Sequence, residues 1–113
     1  MLRPKISICI ATYNRANSLT NCLNSIAIAA KDHVGRFEVC VSDNGSDEKT
    51  FDAVRRATEF LEINYHRNNS NLGIPRNFLQ VVSLAKGEFI WLIGDDDLLL
   101  PDTFDRLLPL LEG

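Results

Sequence analysis

The chain has 113 residues, a formal net charge of −3 and 45% hydrophobic residues. This length corresponds to a single domain with enough apolar content to form a buried core. The negative charge and the lack of a basic stripe exclude nucleic acid as the main partner. No apolar run in the sequence is long enough to be a transmembrane helix.

The first half of the chain predicts two strands, each followed by a helix. Residues 6–11 and 37–41 are apolar runs rich in β-branched side chains, a pattern that is typical of buried strands. The first helix is expected to be capped by Asn17 or Ser18, and the second to run from about residue 48 to about residue 60. The expected inward-facing residues are Leu19, Leu23, Ile26 and Ala30 on the first helix, and Phe51, Val54, Ala57 and Leu61 on the second.

The second half repeats this alternation. Residues 63–66 and 88–93 predict the third and fourth strands. Between them, Pro75 suits the first turn of a third helix, and Lys86-Gly87 is expected to end it. The expected inward-facing residues of this helix are Phe78, Val81 or Val82, and Ala85.

A last helix is predicted over residues 103–108, opened by Pro101 and interrupted by Pro109. Four strands that alternate with helices predict a Rossmann-like α/β domain, in which helices cover both faces of a parallel sheet. We expect the first strand to lie beside the fourth. The fourth strand then has an exposed edge, which favours self-association.

The cysteines and histidines have no spacing that is typical of metal sites or disulfide frameworks. We expect the cysteines to be reduced, buried thiols and the histidines to lie on the surface. The amino terminus lacks a signal-peptide pattern, so we expect a cytoplasmic protein, either free or peripheral at the inner face of the membrane. The residues concerned are Cys9, Cys22, Cys40, His33 and His66.

Three consecutive aspartates, Asp95, Asp96 and Asp97, follow the fourth predicted strand. Adjacent carboxylates repel one another unless a cation compensates them, and oxygen ligands suit Mg²⁺ or Mn²⁺. The sequence therefore predicts a divalent metal site. The alternative is a solvated acidic loop in which Asp97 or Asp102 only caps the following helix.

Two other polar turns are expected to lie close to these acids. Residues 12–15 follow the first strand, and Asp43 and Asn44 follow the second. Parallel strands present their carboxyl ends at one edge of the sheet, and ligands bind there where the strand order reverses. The chain has neither GxGxxG nor a P-loop, so a phosphate must be held mainly by the metal. These features together indicate a pocket for a nucleotide diphosphate.

Two other classes of α/β or acidic domain fit the residues poorly. A receiver-type signalling domain needs an acidic pair after the first strand, where this chain has Thr12-Tyr13. A calcium-binding loop that starts at Asp95 would need glycine at position 100 and glutamate at position 106, where Leu100 and Arg106 stand. A non-catalytic nucleotide-binding or scaffold module stays open as an alternative.

Several short motifs, in the same order, resemble those of family 2 glycosyltransferases. The match extends over essentially the whole chain, with Ala11 where the family often has proline. The segment 73–78 further resembles a subgroup of abequosyltransferase-like enzymes, which add dideoxy and related sugars to O-antigen-type glycans. The matching motifs are Thr12-Tyr13-Asn14-Arg15, Asp43-Asn44-Gly45-Ser46, Asn71-Leu72-Gly73, Arg76-Asn77, Gly87-Glu88 and Gly94-Asp95-Asp96-Asp97.

The resemblance implies a GT-A fold and transfer of a sugar from a nucleotide diphosphate sugar to a glycan or lipid-linked acceptor. It places Thr12, Tyr13 and Arg15 around the base pocket, Asp43 and Asn44 at the edge of the base, and Arg76 near the base or the phosphates. Asp95 would face the ribose, while Asp96 and Asp97 would reach Mn²⁺ or Mg²⁺ and the diphosphate. Both a D-x-D and a D-D register fit the acids.

Each of these roles has a structural alternative. Tyr13 can simply pack, Arg76 can cap a helix, and Asp43 can form an Asx-turn. In the family, the general base lies beyond a further group of strands. We therefore expect residues 1–113 to be the donor-binding part of a glycosyltransferase domain, without a catalytic residue of their own and inactive in isolation.

Overall fold

The computed structural model describes residues 3–112, which form one four-stranded sheet and four helices. The strand order is β3-β2-β1-β4 and all pairs are parallel, so the predicted Rossmann-like α/β fold and the pairing of the first strand with the fourth are confirmed. The strands are β1 (Ile6–Thr12), β2 (Phe37–Asp43), β3 (Ile63–Arg67) and β4 (Phe89–Gly94), and the helices are α1 (Ala16–Ala30), α2 (Glu48–Ala57), α3 (Ile74–Ser83) and α4 (Thr103–Glu112).

The alternating side chains of β1 divide the core into two layers. Ile6, Ile8 and Ile10 point to one face of the sheet, where α1, α2 and α4 cover them. Cys9 points to the other face, where it packs with Cys40 and Val81 beneath α3. Successive side chains of a strand alternate between faces, so the mostly apolar run of β1, in which even Ser7 is buried, fits a sheet covered on both sides.

Helix α1 begins earlier than predicted. Its cap position is Arg15, without a side-chain cap, so the prediction of Asn17 or Ser18 as cap is wrong. Asn14 adopts a left-handed conformation with φ 50°, and this turn lets the helix start at Ala16. The predicted inner face of α1 is confirmed, because Leu19, Leu23, Ile26 and Ala30 are buried.

The inner face of α2 differs from the prediction at one aromatic residue. Phe51 is 38% exposed and packs on Tyr65, while Thr50 and Ala53 turn inward. The helix also ends at Ala57 rather than near residue 60. The other predicted inward residues, Val54, Ala57 and Leu61, are buried.

Helix α3 buries a polar residue where an aromatic one was expected. Asn77 and Val81 point into the protein, whereas Phe78 is 39% exposed. Asn77 tolerates burial because Ser42 supplies hydrogen-bond partners for its amide. Pro75 lies in the first turn as predicted, and the helix ends at Ser83, before Ala85.

Strand β4 forms one edge of the sheet, and its apolar side chains are half exposed. The apolar run 89–93 predicts a buried strand, and this prediction is wrong, because Phe89, Ile90 and Leu92 are each more than 40% exposed. The exposed edge was predicted. Helix α4 continues through Pro109 to Glu112 instead of stopping at residue 108. Proline removes one hydrogen bond of the helix, and this loss falls on an exposed part of α4.

The cysteines are free and buried, as predicted. The histidines are not isolated surface residues, because both are half buried and both have side-chain partners. His33 pairs with Asp105 of α4 at 2.6 Å, and His66 lies 3.0 Å from Asn68. Asp105 lies 72 positions from His33 and Asn68 lies across a turn from His66, so neither contact was visible in the sequence. Within residues 3–112, the helices are all too short or too polar to span a bilayer.

Candidate functional site

The register of the sheet brings the three predicted polar turns to one edge. Thr12 at the end of β1 is the partner of Asp43 in β2, and Ala11 is the partner of Gly94 in β4. The two neighbours of β1 therefore end level with it. This is the point where the strand order reverses, and parallel α/β sheets bind ligands there.

A cavity of about 630 Å³ opens at this edge. Of the residues predicted from the sequence, Thr12, Tyr13, Arg15, Asn44 and Asp95 line it, while Asp43, Arg76, Asp96 and Asp97 do not. The remaining lining residues were not predicted to contact a ligand. They are Ala11, Asn71, Gly73, Ile74, Asn77, Phe78 and Gly94.

Asp95 is the buried acid of the three. It accepts a 2.9 Å hydrogen bond from the Thr12 hydroxyl, and its other oxygen lies 3.6 Å from the Arg15 guanidinium. Burial raises the pKa of the Asp95 carboxyl, while the Thr12 hydrogen bond and the Arg15 charge oppose that rise in pKa. Asp95 thus lines the cavity with one carboxylate oxygen beside a cation.

Asp96 and Asp97 converge above Gly94. A Cβ atom added to Gly94 would lie 3.0 Å from Oδ1 of Asp96 and 3.3 Å from Oδ2 of Asp97. Asp97 Oδ2 also accepts a 2.7 Å hydrogen bond from the Gly94 amide, and Asp96 Oδ2 lies 3.8 Å from Arg15. Both aspartates are exposed. Both carboxylates thus lie against the space that the missing side chain of Gly94 leaves free.

This pair fits one side of a Mg²⁺ or Mn²⁺ site. Residues 3–112 contain no cluster of three or more acidic, histidine or cysteine side chains that could enclose a metal. Mg²⁺ is commonly held by one or two carboxylates together with substrate phosphates and water. Asp96 and Asp97 therefore suit a metal that arrives with a diphosphate.

Asp43 is fully buried and its carboxylate is used inside the protein. One oxygen accepts a 2.9 Å hydrogen bond from the Ser46 amide, and the other accepts a 2.6 Å bond from the Tyr65 hydroxyl. Burial and the bond to Asp43 raise the pKa of Tyr65 above its ordinary value. In this structure Asp43 forms the Asx-type turn that the sequence left open as its alternative role.

Arg76 lies in the first turn of α3 with its side chain in solvent. It makes no ion pair with any residue of the part that the structure describes. Arg15 is thus the cation that the fold places against the acids, while Arg76 is free to reach a ligand from the helix.

The loop 68–73 closes one side of the cavity and was missed as a functional element. Asn44 holds this loop in place with two hydrogen bonds. The Asn44 Oδ1 atom accepts a 2.9 Å bond from the Leu72 backbone amide, and the Asn44 side-chain nitrogen donates a 2.8 Å bond to Asn71. Gly73 has φ 88°, a left-handed conformation that favours glycine. The Asn-x-Gly pattern at 71–73 was the available signal, because such residues are typical of constrained turns.

The sequence profile of glycosyl transferase family 2 matches residues 7–113. The chain is 44% identical over 110 residues to an abequosyltransferase of Salmonella typhimurium, covering 96% of this chain and 33% of that protein. It is similar to the crystal structure of S. aureus TarS 1–349 in complex with UDP, with a TM-score of 0.87, 27% identity and 96% and 32% of the two chains covered.

A second similar structure is the mannosyltransferase PcManGT from Pyrobaculum calidifontis in complex with GDP-Man and Mn²⁺. Its TM-score is 0.84, its identity is 25%, and the match covers all of this chain and 34% of that one. The chain thus spans about a third of the length of these relatives.

Proposed function

Because the chain belongs to glycosyl transferase family 2 and has the GT-A fold, we propose that it forms the donor-binding part of an enzyme that transfers a sugar. The donor would be a nucleotide diphosphate sugar and the acceptor a glycan or a lipid-linked glycan. The observation that carries this proposal is the cavity at the reversal of strand order, with Asp96 and Asp97 converging beside it. The TarS and PcManGT complexes with UDP, GDP-Man and Mn²⁺ support it.

Different residues would contact the two parts of the donor, its nucleoside and its diphosphate. Tyr13 and Phe78 offer aromatic surfaces on which a base can stack, and Asn71 offers hydrogen-bond donors. Asp95 can accept a hydrogen bond from a ribose hydroxyl. We propose that Asp43 acts indirectly, because its carboxylate shapes the turn behind the cavity rather than facing it.

The diphosphate would lie on the side of Arg15, Asp96 and Asp97. A bound Mn²⁺ or Mg²⁺, held by Asp96 and Asp97, would offset the negative charge that grows on the departing nucleotide diphosphate. Arg15 holds a further positive charge next to these acids, and Arg76 can approach the phosphates from α3.

The test is calorimetric titration of the chain with UDP, CDP and GDP, each with and without Mn²⁺. We expect binding only with the metal, because no glycine-rich phosphate loop replaces it. Asp96→Asn and Asp97→Asn should each abolish the effect of the metal, whereas Asp32→Asn, which changes an exposed acid after α1, should not. Equal affinity in EDTA would refute the proposal. Absence of nucleotide binding under all conditions would favour the scaffold alternative.

We propose, in addition, that residues 1–113 form a donor-binding part that needs further polypeptide for transfer. The chain spans about a third of its relatives. An abequosyl or related dideoxy sugar is the donor group that the 44% identity to the Salmonella enzyme favours. A cytoplasmic location, free or peripheral at the membrane, stays a prediction.

Self-association through β4 is a further part of the proposal. An apolar groove of about 570 Å³ runs along β4 and α4, lined by Phe89, Ile90, Trp91 and Leu110 among others. The start of β4 adjoins three basic residues and one acid, while its end carries the three aspartates. The residues at the start are Arg3, Lys5, Lys86 and Glu88. In an antiparallel pair of β4 strands, the basic end of one copy would meet the acidic end of the other.

A further inference from the structure

Backbone groups determine how the side-chain amides of Asn44 and Asn71, which hold the loop 68–73, are oriented. The Leu72 N–H can only donate, so the atom of Asn44 that it contacts at 2.9 Å must be the oxygen. The Gly73 N–H donates to Asn71 at 2.8 Å, so that contact likewise identifies the Asn71 oxygen. The Asn44 nitrogen then donates to the same Asn71 oxygen at 2.8 Å.

A second backbone group determines the orientations of the side-chain amides of Asn77 and Asn68, which lie deeper in the protein. The Ser42 carbonyl accepts at 3.0 Å from Asn77, which identifies the Asn77 nitrogen. The Asn77 oxygen therefore faces Asn68, whose nitrogen donates at 3.1 Å to it and at 3.1 Å to the Asn44 oxygen. The Asn68 oxygen is left for His66, whose Nε2 lies 3.0 Å away. His66 must carry its proton on Nε2.

This chain of hydrogen bonds ends at a single unused amide. The Asn71 oxygen accepts hydrogen bonds from both Asn44 and Gly73. The Asn71 side-chain nitrogen, which has two N–H donors, has no hydrogen-bond partner among residues 3–112. Asn71 lines the cavity. Asn68 is 6% exposed and does not line the cavity, so it acts on the cavity only through Asn44 and Asn77. Asn77 is 3% exposed and lies in the buried part of the cavity lining.

We propose that His66, Asn68 and Asn77 are positioning residues for donor binding. They hold Asn44, and through it Asn71, so that the free Asn71 amide donates to the nucleoside of the nucleotide diphosphate. This inference rests on the proposed function. The diphosphate is held separately, by the acids and their metal, so loss of the chain of amides weakens the nucleoside contacts alone.

The decisive variant is Asn68→Asp. A carboxylate fits the same space but cannot donate to the oxygens of Asn44 and Asn77, so it breaks the chain at its centre. We expect the affinity for CDP or UDP with Mn²⁺ to fall about tenfold, the factor that corresponds to one hydrogen bond. The affinity for pyrophosphate with Mn²⁺, which lacks a nucleoside, should stay within about twofold of the wild type.

Two variants of His66 provide a second test, which applies even if Asn68→Asp fails to fold. His66→Gln retains an N–H donor toward Asn68 and should bind CDP and UDP like the wild type, while His66→Ala should show the selective loss. His33→Ala is the matched control, because it removes a half-buried histidine that pairs with Asp105 instead. Equal binding by His66→Ala and the wild type, or an equal loss for pyrophosphate, would overturn the inference.

A ligand-free measurement separates this inference from the proposed function. Nitrogen-15 NMR of the neutral imidazole should show the Nε2–H tautomer of His66, and the Nδ1–H tautomer would overturn the inference. If the tautomer is as expected but no nucleotide binds with Mn²⁺, the proposed function has failed and the positioning role fails with it. If nucleotides bind and Asn68→Asp binds them equally well, only the positioning role has failed.

Discussion

The Thr12 hydroxyl donates a 2.9 Å hydrogen bond to Oδ2 of Asp95, and both residues are buried. The bond joins the ends of β1 and β4 at the floor of the cavity. A buried carboxylate that loses a hydrogen-bond donor is still removed from water, and the free energy that this removal costs is no longer offset by the bond. Thr12→Val, which removes the hydroxyl at nearly constant shape, should therefore lower the free energy of unfolding by about 1–3 kcal/mol.

The measurement for Thr12→Val is urea denaturation, with Thr12→Ser as the control that keeps the donor. Thr103→Val on α4 is a second control, because its hydroxyl also donates a hydrogen bond but lies on the surface. If Thr12→Val is as stable as Thr12→Ser, the bond between the strand ends does not contribute to stability.

Gly94→Ala tests whether the space above Gly94 matters for the metal. The added Cβ would lie 3.0 Å from Asp96 Oδ1 and 3.3 Å from Asp97 Oδ2, so both carboxylates must shift by a few tenths of an ångström away from the space over Gly94. We expect Mn²⁺-dependent nucleotide binding to weaken by about tenfold or more, at little cost in thermal stability. Gly35→Ala is the control, because a Cβ there meets no atom within 4 Å, although its φ of 87° adds some backbone strain. Unchanged Mn²⁺ dependence in Gly94→Ala would place the metal elsewhere.

Asp43→Ala should act mainly on stability. The change leaves the Ser46 amide and the Tyr65 hydroxyl without their acceptor, which should lower the free energy of unfolding by about 1–3 kcal/mol. Calorimetry with nucleotide and Mn²⁺ on the folded variant measures the remaining affinity. A large loss of nucleotide affinity without loss of stability would instead show the direct base contact that the resemblance implies.

Ionisation of Tyr65 makes the stability of the fold depend on pH in the alkaline range. Its pKa is raised in the folded protein, so Tyr65 loses its proton more readily when the chain is unfolded, where its pKa is 10.0. Its contribution to stability is therefore complete below pH 10 and is lost as the pH rises toward the folded pKa. Urea denaturation between pH 8 and 11 should show a smaller alkaline loss for Tyr65→Phe than for the wild type. Parallel curves would exclude this role.

The exposed edge of β4 should produce self-association that depends on charge. Sedimentation velocity should show a species larger than the monomer at low salt, and Leu92→Lys should remove it by charging a side chain that is 47% exposed on that edge. Lys86→Glu should weaken association and the double change with Asp96→Lys should restore it. Leu79→Lys, on the exposed side of α3, is the control. A constant monomer at all concentrations would contradict the prediction.

The sequence was sufficient to predict the order and type of every element. Apolar runs with β-branched residues, separated by polar turns, predicted four strands and four helices, and the parallel order followed from their alternation. The positions of the polar turns at one edge also followed, since the carboxyl ends of parallel strands lie together. Thr12, Asn44 and Asp95 were predicted for this edge on that basis and now line one cavity.

Tertiary contacts decided which face each side chain presents. Phe78 fits an inner helical position by its spacing, yet the inward place belongs to Asn77, because Ser42 on β2 supplies both a donor and an acceptor. A pattern of hydrophobicity cannot show such a pairing between residues 35 positions apart. For the same reason the roles of His66 and Asn68 were not visible in the sequence.

The largest difference between sequence and structure is in the acids. Composition alone makes Asp43, Asp95, Asp96 and Asp97 equivalent carboxylates. Folding buries Asp43 against Tyr65, ties Asp95 to Thr12, and leaves Asp96 and Asp97 converging over Gly94. The sequence determined that carboxylates would gather at this edge, and only the tertiary structure decided which of them remain accessible to a cation, because packing buries the carboxylates of Asp43 and Asp95 and leaves those of Asp96 and Asp97 exposed.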